Sequence, residues 1–454
     1  MFPGPKAQAL ASRDLNVLWH PCTQMHDHQS VPMVPIARGE GAWLIDADGH
    51  RLLDAISSWW VNLFGHGHPR IARAISEQAG RLEQVILAGF THEPAIRLAE
   101  GLLALAPPGL ARVFYADNGS SAIEVALKMS FHYWRNQGAF AKTRFMALAG
   151  GYHGETLGAL SVTDVPLYRE TYEPLLLQPL FAPSPDSYLA APGETAEAYA
   201  DRAADALEQL LAENADTLAA LILEPLVQGA AGMRMYPASY LKRARAACDR
   251  FGVHLIADEI MVGFGRTGTL FACEQAAISP DFLCLSKGIT GGFLPLSAVL
   301  TTQSVFNAFY AEYQSGRAFL HSHSYTGNAL ACAAACEVLA MFREEDWLQR
   351  NRASAACIGS ALERFKDHPN VADVRQTGMI AAIELVRDRR SREPFDWRER
   401  RGLAVYRHAL ERGVLLRPLG NVVYFLPPYC ISADEIELMA TVAMEGIERA
   451  VAAR

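Results

Sequence analysis

Eight cysteines in 454 residues, with no C-x-x-C pair, leave neither a disulfide framework nor a zinc-ligand spacing. No apolar run is long enough to span a bilayer, and Lys6, Arg13 and Asp14 interrupt the first twenty residues. We therefore expect no membrane span and no secretory signal, and a cytoplasmic protein. There is no Lys/Arg-rich block to track a phosphate backbone; the formal charge of −8 is dispersed, so nucleic acid is not an expected partner. No Walker A sequence is present. The His-x-His pairs His26/His28, His66/His68 and His321/His323 lack a third ligand at a recognisable spacing, so no metal is expected. Cys332 and Cys336, one helical turn apart in an Ala-rich run, read as small packing residues.

Half of the chain is apolar, enough for one large domain and a smaller one. Its focus is a pair of apolar runs, Val253–Ile260 and Phe282–Gly288, patterned as buried parallel strands and ending in Asp258-Glu259 and in Lys287. A buried lysine loses ammonium solvation, which makes a neutral amine available to condense with a carbonyl. An aspartate beside a pyridine nitrogen keeps that nitrogen protonated, so the ring can accept electrons. The plainer alternative is a snorkelling lysine and a turn-capping aspartate.

Upstream, Gly41–Asp46 and Arg51–Ala55 read as a strand-turn-strand. Trp59 and Trp60 follow, either as core or as the wall of a pocket. Helical and strand patterns alternate from about Ile71. The strand Arg112–Ala116 runs through Asp117-Asn118-Gly119-Ser120 into a long helix ending near Asn136, a phosphate-binding turn or an ordinary Ser121/Glu124 capping box. Arg144–Leu148 leads to Gly151-Tyr152-His153-Gly154, where flanking glycines allow close approach and Tyr152 offers a ring face. A helix over Glu194–Glu213, the strand Leu218–Leu223 ending in Glu224, and a helix over Pro237–Phe251 complete a doubly wound, mostly parallel α/β sheet with its ligand beyond the strand ends. Gly263–Gly268 matches G-x-G-x-x-G, but no helix opens there; it reads as a flexible loop carrying Arg266 past the site. Residues 71–328 form the expected large domain; 1–70 and 329–454 form a small α+β domain. In the latter Arg417 lies in the strand Leu415–Pro418, facing solvent or clamping a carboxylate.

Together, Gly119-Ser120, Tyr152-His153-Gly154, Asp258-Glu259, Lys287 and Ser324 resemble the class III, fold-type I, pyridoxal-phosphate aminotransferases over nearly the whole chain. Trp19-His20-Pro21, Ser57–Trp60, Gln228–Tyr236 and Leu415–Pro418 are similar, more narrowly, to the branch that converts 8-amino-7-oxononanoate to 7,8-diaminononanoate for biotin. The resemblance implies pyridoxal 5'-phosphate as cofactor, bound as a Schiff base to Lys287, with Asp258 at the pyridine nitrogen and Tyr152 stacked on the ring. It implies a phosphate held by Gly119 and Ser120 of one subunit and by His323 and Ser324 of the other, and hence a homodimer with shared sites. Trp59, Tyr152, Lys287, Ser322, Arg417, Tyr424 and Cys22 would surround the substrate, with Arg417 on the carboxylate of the oxononanoate. The implied reaction is a ping-pong transamination with S-adenosylmethionine as donor and lysine as the alternative. Relatives carry tyrosine where this chain has Cys22, and commonly threonine where it has Ser324. The rivals are a general ω-amino acid:pyruvate transaminase and a non-catalytic cofactor-binding dimer; no DNA-binding helix pair or basic appendage supports the second.

Overall fold

The structure, a computed structural model, describes residues 4–31 and 33–452. The described residues divide into two compact units, one within Met1–Pro69 and Arg350–Arg454, the other Arg70–Gln349.

The larger unit is built on seven strands in the order Leu110–Ala116, Ser297–Thr302, Phe282–Leu285, His254–Asp258, Leu218–Leu223, Arg144–Leu148 and Leu180–Ala182. The pairings from Phe282–Leu285 to Leu180–Ala182 are parallel, whereas Ser297–Thr302 runs antiparallel to both of its neighbours. Leu218–Leu223, His254–Asp258 and Phe282–Leu285 are buried along their whole length, as strands covered on both faces must be. The helix Gly119–Asn136 lies on one face, with Ile123, Ala126 and Leu127 packed among Ile222, Ile256 and Cys284. Burying side chains of this size stabilises the sheet by about 1.5–3 kcal/mol each for the larger ones.

The expected boundary at residue 329 moves to 350. The helix Ala329–Glu344 packs on Glu93–Leu105, where a Cβ on Gly101 would stand only 2.9 Å from Leu339 Cδ1. Arg70 also ties it in, its guanidinium donating to Glu337 at 2.5 Å, Glu344 at 2.6 Å and Glu345 at 2.9 Å.

In the smaller unit, Ile36–Glu40, Trp43–Asp46 and Arg51–Asp54 form an antiparallel meander that Val414–Leu415 extends in parallel. A second sheet joins Val371–Thr377, Ile380–Asp388 and Val422–Phe425. The final helix, Ala433–Ala452, starts with a capping box: Ser432 N–H donates to Glu435 Oε2 at 2.8 Å, and Glu435 N–H to Ser432 Oγ at 3.3 Å. No helix among the described residues is long and apolar enough to cross a membrane.

Candidate active site

Three parallel strands of the larger unit end side by side and deliver Glu224, Asp258 and Lys287 to one edge of the sheet. Asp258, 4% exposed, accepts the Ile260 N–H on Oδ1 at 3.1 Å, and His153 Nδ1 donates to its Oδ2 at 2.7 Å. A carboxylate can only accept, so His153 carries a proton on Nδ1. Glu224 accepts the N–H groups of Tyr152 and Gly229, both at 2.9 Å, one on each oxygen. Burial pushes its carboxyl up to about 7, His153 opposing the rise and Asp258 adding to it. The buried Glu224 therefore anchors the backbone of Tyr152.

Lys287 follows Ser286, whose hydroxyl donates to the Leu296 carbonyl at 2.8 Å, and adopts a left-handed φ of +42° that a side-chain-bearing residue rarely takes. Burial lowers its pKa to about 8, against the opposing pull of Asp258 and Glu224, while Arg266 lowers it further. Without cofactor, the folded chain penalises the ammonium fully below pH 8 and progressively less between pH 8 and the ordinary 10.5. Replacing Lys287 with methionine should therefore stabilise the cofactor-free protein at neutral pH, by up to about 3 kcal/mol. The gain should shrink as pH rises through that window, which urea titrations at several pH values would reveal.

Gly119 and Ser120 open the helix Gly119–Asn136. Its cap is Asn118, whose side chain accepts the Ser121 N–H at 3.0 Å, so the Ser121/Glu124 capping box does not form. Glu124 instead accepts from Thr156 Oγ1 at 2.6 Å and Gly158 N–H at 2.8 Å. Gly154, at φ +128°, closes against the same helix start: a Cβ there would overlap Ser120 Oγ and reach within 3.0 Å of Ser120 Cα. Ser120 Oγ accepts the Glu155 N–H at 3.2 Å. The Tyr152 hydroxyl donates to Glu155 at 2.8 Å, and its ring meets Tyr168 edge-on at 5.3 Å. A helix start, a glycine-tight loop, a buried carboxylate and a depressed amine together suit an anionic aldehyde with a basic ring nitrogen.

The loop at Gly263–Gly268, expected to be flexible and to carry Arg266 past the site, lies largely inside the larger unit. Val262–Thr267 are buried, and Arg266 is 1% exposed. His323 lies 3.3 Å from Asp117 and 3.2 Å from His321, which in turn sits 2.8 Å from Lys128; Ser322 and Ser324 are exposed. Among the described residues no group of His, Cys, Asp and Glu could hold a metal ion.

The smaller unit gathers the remaining sequence-named residues. The Arg417 guanidinium lies 5.0 Å over the Trp59 ring and donates to the Cys22 carbonyl at 3.4 Å. Cys22 is exposed. Tyr424 is buried, with its hydroxyl accepting Trp60 Nε1–H at 2.9 Å. Ser57, Ser58 and Trp60 all have left-handed φ, of 52°, 59° and 66°. Conformations of this kind cost about 1–3 kcal/mol each and persist only where neighbours enforce them. His153 and Glu224 escaped assignment from sequence. Glu224 shows the same signal as Asp258, an acid at the end of a buried strand, whereas His153 is revealed only by the fold.

A profile of the aminotransferase class-III family matches residues 24–451. The chain is 44% identical over 451 residues, 99% of each chain, to the adenosylmethionine-8-amino-7-oxononanoate aminotransferase of Geobacter sulfurreducens. It is 46% identical to that of Helicobacter pylori, over 94% of this chain and 95% of the relative. The crystal structure of the Methanocaldococcus jannaschii enzyme of that name superposes with a TM-score of 0.92 at 36% identity, covering 97% of this chain and 99% of the other. An omega transaminase from Pseudomonas jessenii in complex with PMP superposes with a TM-score of 0.92 at 32% identity, covering 97% and 98%. The chain belongs to the class-III aminotransferase family.

Proposed function

We propose that this chain transaminates 8-amino-7-oxononanoate to 7,8-diaminononanoate, a step of biotin synthesis, using pyridoxal 5'-phosphate and S-adenosylmethionine as amino donor. The observation that carries the chemistry is Lys287, an amine with a lowered pKa at the strand end beside the His153-held carboxylate of Asp258. The substrate assignment draws on the names of relatives 44–46% identical over nearly the full chain, against 32% for the omega transaminase.

Pyridoxal phosphate, when bound, supplies an aldehyde for amines and a ring that withdraws electrons once its nitrogen is protonated. Asp258 would keep that nitrogen protonated. The Lys287 Nζ would hold the cofactor when no substrate amine is bound and, once free, would serve as the base and acid at the amine-bearing carbon in both halves of a ping-pong cycle. Gly119 and Ser120 would hold the phosphate with the helix N-terminus, and Tyr152, tethered through its N–H to Glu224, would lie against the ring. His323 and the exposed Ser324 would serve the phosphate of a second copy, which makes the working unit a homodimer; its proposed place is the cytoplasm. Ser322 and Tyr424 complete the substrate surroundings, Tyr424 through its bond to Trp60.

Arg417, stacked on Trp59, binds the acceptor carboxylate, with Cys22 at the wall where relatives place a tyrosine. An Arg417→Ala variant should weaken the oxononanoate by about 1.5–3 kcal/mol, a tenfold to hundredfold rise in its KM, with the donor half-reaction little changed. Equal loss in both half-reactions would remove Arg417 from this role.

The primary test follows the visible band of the purified holoenzyme. S-adenosylmethionine alone should bleach it and 8-amino-7-oxononanoate should restore it. A band indifferent to S-adenosylmethionine but bleached by lysine or a simple ω-amine would keep the cofactor chemistry and overturn the donor.

A further inference from the structure

We propose that Asp54, together with His66, is a positioning residue for the Trp59–Arg417 pair: it clamps the Ser57–Trp60 turn and thereby sets how tightly an acceptor carboxylate is held, without touching substrate. The proposal deepens the reading of Arg417 as carboxylate ligand and rests on it.

Asp54 ends the strand Arg51–Asp54 and is fully buried. Its pairing partner is Leu415, two residues before Arg417, so both chains that carry the pair leave the same small sheet side by side. A buried carboxylate persists only if its lone pairs are occupied. Four donors meet Asp54: the Ile56 N–H at 3.3 Å, the Ser58 N–H at 2.7 Å, the Ser58 hydroxyl at 3.0 Å and His66 Nε2–H at 2.9 Å. Two of the four belong to Ser58, whose φ of 59° and ψ of −86° are far from helical. The carboxylate is thus what holds Ser58 where a serine would not otherwise rest.

The rest of the turn is fixed on either side. Ser57 Oγ donates to the Leu426 carbonyl at 2.7 Å, and Trp60 is buried against Tyr424. Trp59, between them, is 43% exposed, and the guanidinium of Arg417 lies over its ring. An indole with so much free surface is not located by packing alone. Its position comes from the backbone of the turn, whose Ser58 corner, next to Trp59, is held by Asp54.

His66 is set for this task in turn. Asn62 Oδ1 accepts the Gly65 N–H at 2.8 Å, which aims the Asn62 amide NH2 at His66 Nδ1, 3.2 Å away. Nδ1 must then accept, which puts the imidazole proton on Nε2, facing Asp54.

The test uses purified holoenzyme carrying Asp54→Asn, His66→Gln or Ser58→Ala. Asparagine puts an NH2 among converging donors; Ser58→Ala removes one hydroxyl bond and leaves the backbone bonds in place. Three quantities are measured: KM for the oxo-acid acceptor and for its methyl ester, the rate of the donor half-reaction, and acrylamide quenching of Trp59, taken as the difference from a Trp59→Phe protein. We expect Asp54→Asn to raise the acid's KM by about tenfold to a hundredfold. The ester KM and the donor rate should stay within about twofold, and quenching of Trp59 should change. Ser58→Ala should shift the acid's KM the same way by less. Loss shared equally between acid and ester, or an unchanged Trp59 in a variant with raised KM, would reduce Asp54 to a structural residue and overturn the proposal. Should Asp54→Asn fail to fold, an unaltered acid-to-ester ratio in both His66→Gln and Ser58→Ala would overturn it. If Arg417→Ala itself does not separate acid from ester, the carboxylate reading falls. Trp59 quenching then decides Asp54 separately: a change keeps its hold on the turn, and no change removes it.

Discussion

Replacing Lys287 with alanine should abolish turnover, by about 10³-fold or more, and remove the visible absorbance of the lysine-bound cofactor in the same step. In the proposed function one amine has two tasks, carrying the cofactor and moving the proton, so a single substitution would remove both. The protein should still fold. Lys287 is a buried cation whose pKa burial has lowered, and its removal relieves a desolvation penalty while Ser286 keeps its bond to Leu296. A cavity is left where the side chain lay, so a small primary amine added to the buffer should restore part of the proton-transfer rate without restoring a covalent bond between cofactor and chain. Single-turnover kinetics and spectra on the same sample check both statements. Retained turnover in the variant would end the assignment of Lys287.

Parts of this architecture were legible in the sequence because they are written in local patterns. Arg144–Leu148 and Leu218–Leu223 are apolar runs bounded by polar or turn residues, and they form strands with those limits, while the run Phe282–Gly288 is strand only as far as Leu285. The run at Val253–Ile260 shortens to His254–Asp258, because the chain turns at Asp258 when its carboxylate takes the Ile260 N–H. The direction of Ser297–Thr302 was not legible, since a buried strand reads the same whether its neighbours run with it or against it. Ile36–Glu40 escaped notice altogether: it is mostly exposed, carries Arg38 and Glu40, and owes its strand to pairing with Trp43–Asp46. At the site, Asp258 and Lys287 announce themselves as charges at the ends of apolar runs. His153 does not, because what ties it to the site is a bond to a residue 105 positions away. The burial of Arg266 was not legible for the same reason; glycines signal backbone freedom, whereas burial is a property of the surrounding fold.

Asp258→Asn should slow both half-reactions together, by about 10²–10³-fold, the scale of losing one preorganised electrostatic contact in a water-poor site. The substitution preserves volume but not the hydrogen-bonding sense. Asp258 now receives Ile260 N–H on one oxygen and His153 Nδ1–H on the other; an asparagine can accept on one side only. If its oxygen stays with Ile260, its NH2 confronts the His153 proton, and the imidazole must move that proton to Nε2, which is buried and finds no hydrogen-bond partner among the described residues. Either arrangement also deletes the negative charge that would keep the cofactor's ring nitrogen protonated. The two consequences separate experimentally. A cofactor analogue methylated at the ring nitrogen carries its positive charge permanently, and reconstituting Asp258→Asn with it should recover a substantial part of both rates if the charge is what matters. Recovery in neither half-reaction would mean that Asp258 acts through the geometry of His153. Loss confined to one half-reaction would contradict the role itself, because donor and acceptor pass through the same electron-withdrawing ring. Arg417→Ala should behave in the opposite way, sparing the donor half, so the two variants measured side by side distinguish the group that serves the ring from the group that serves the substrate.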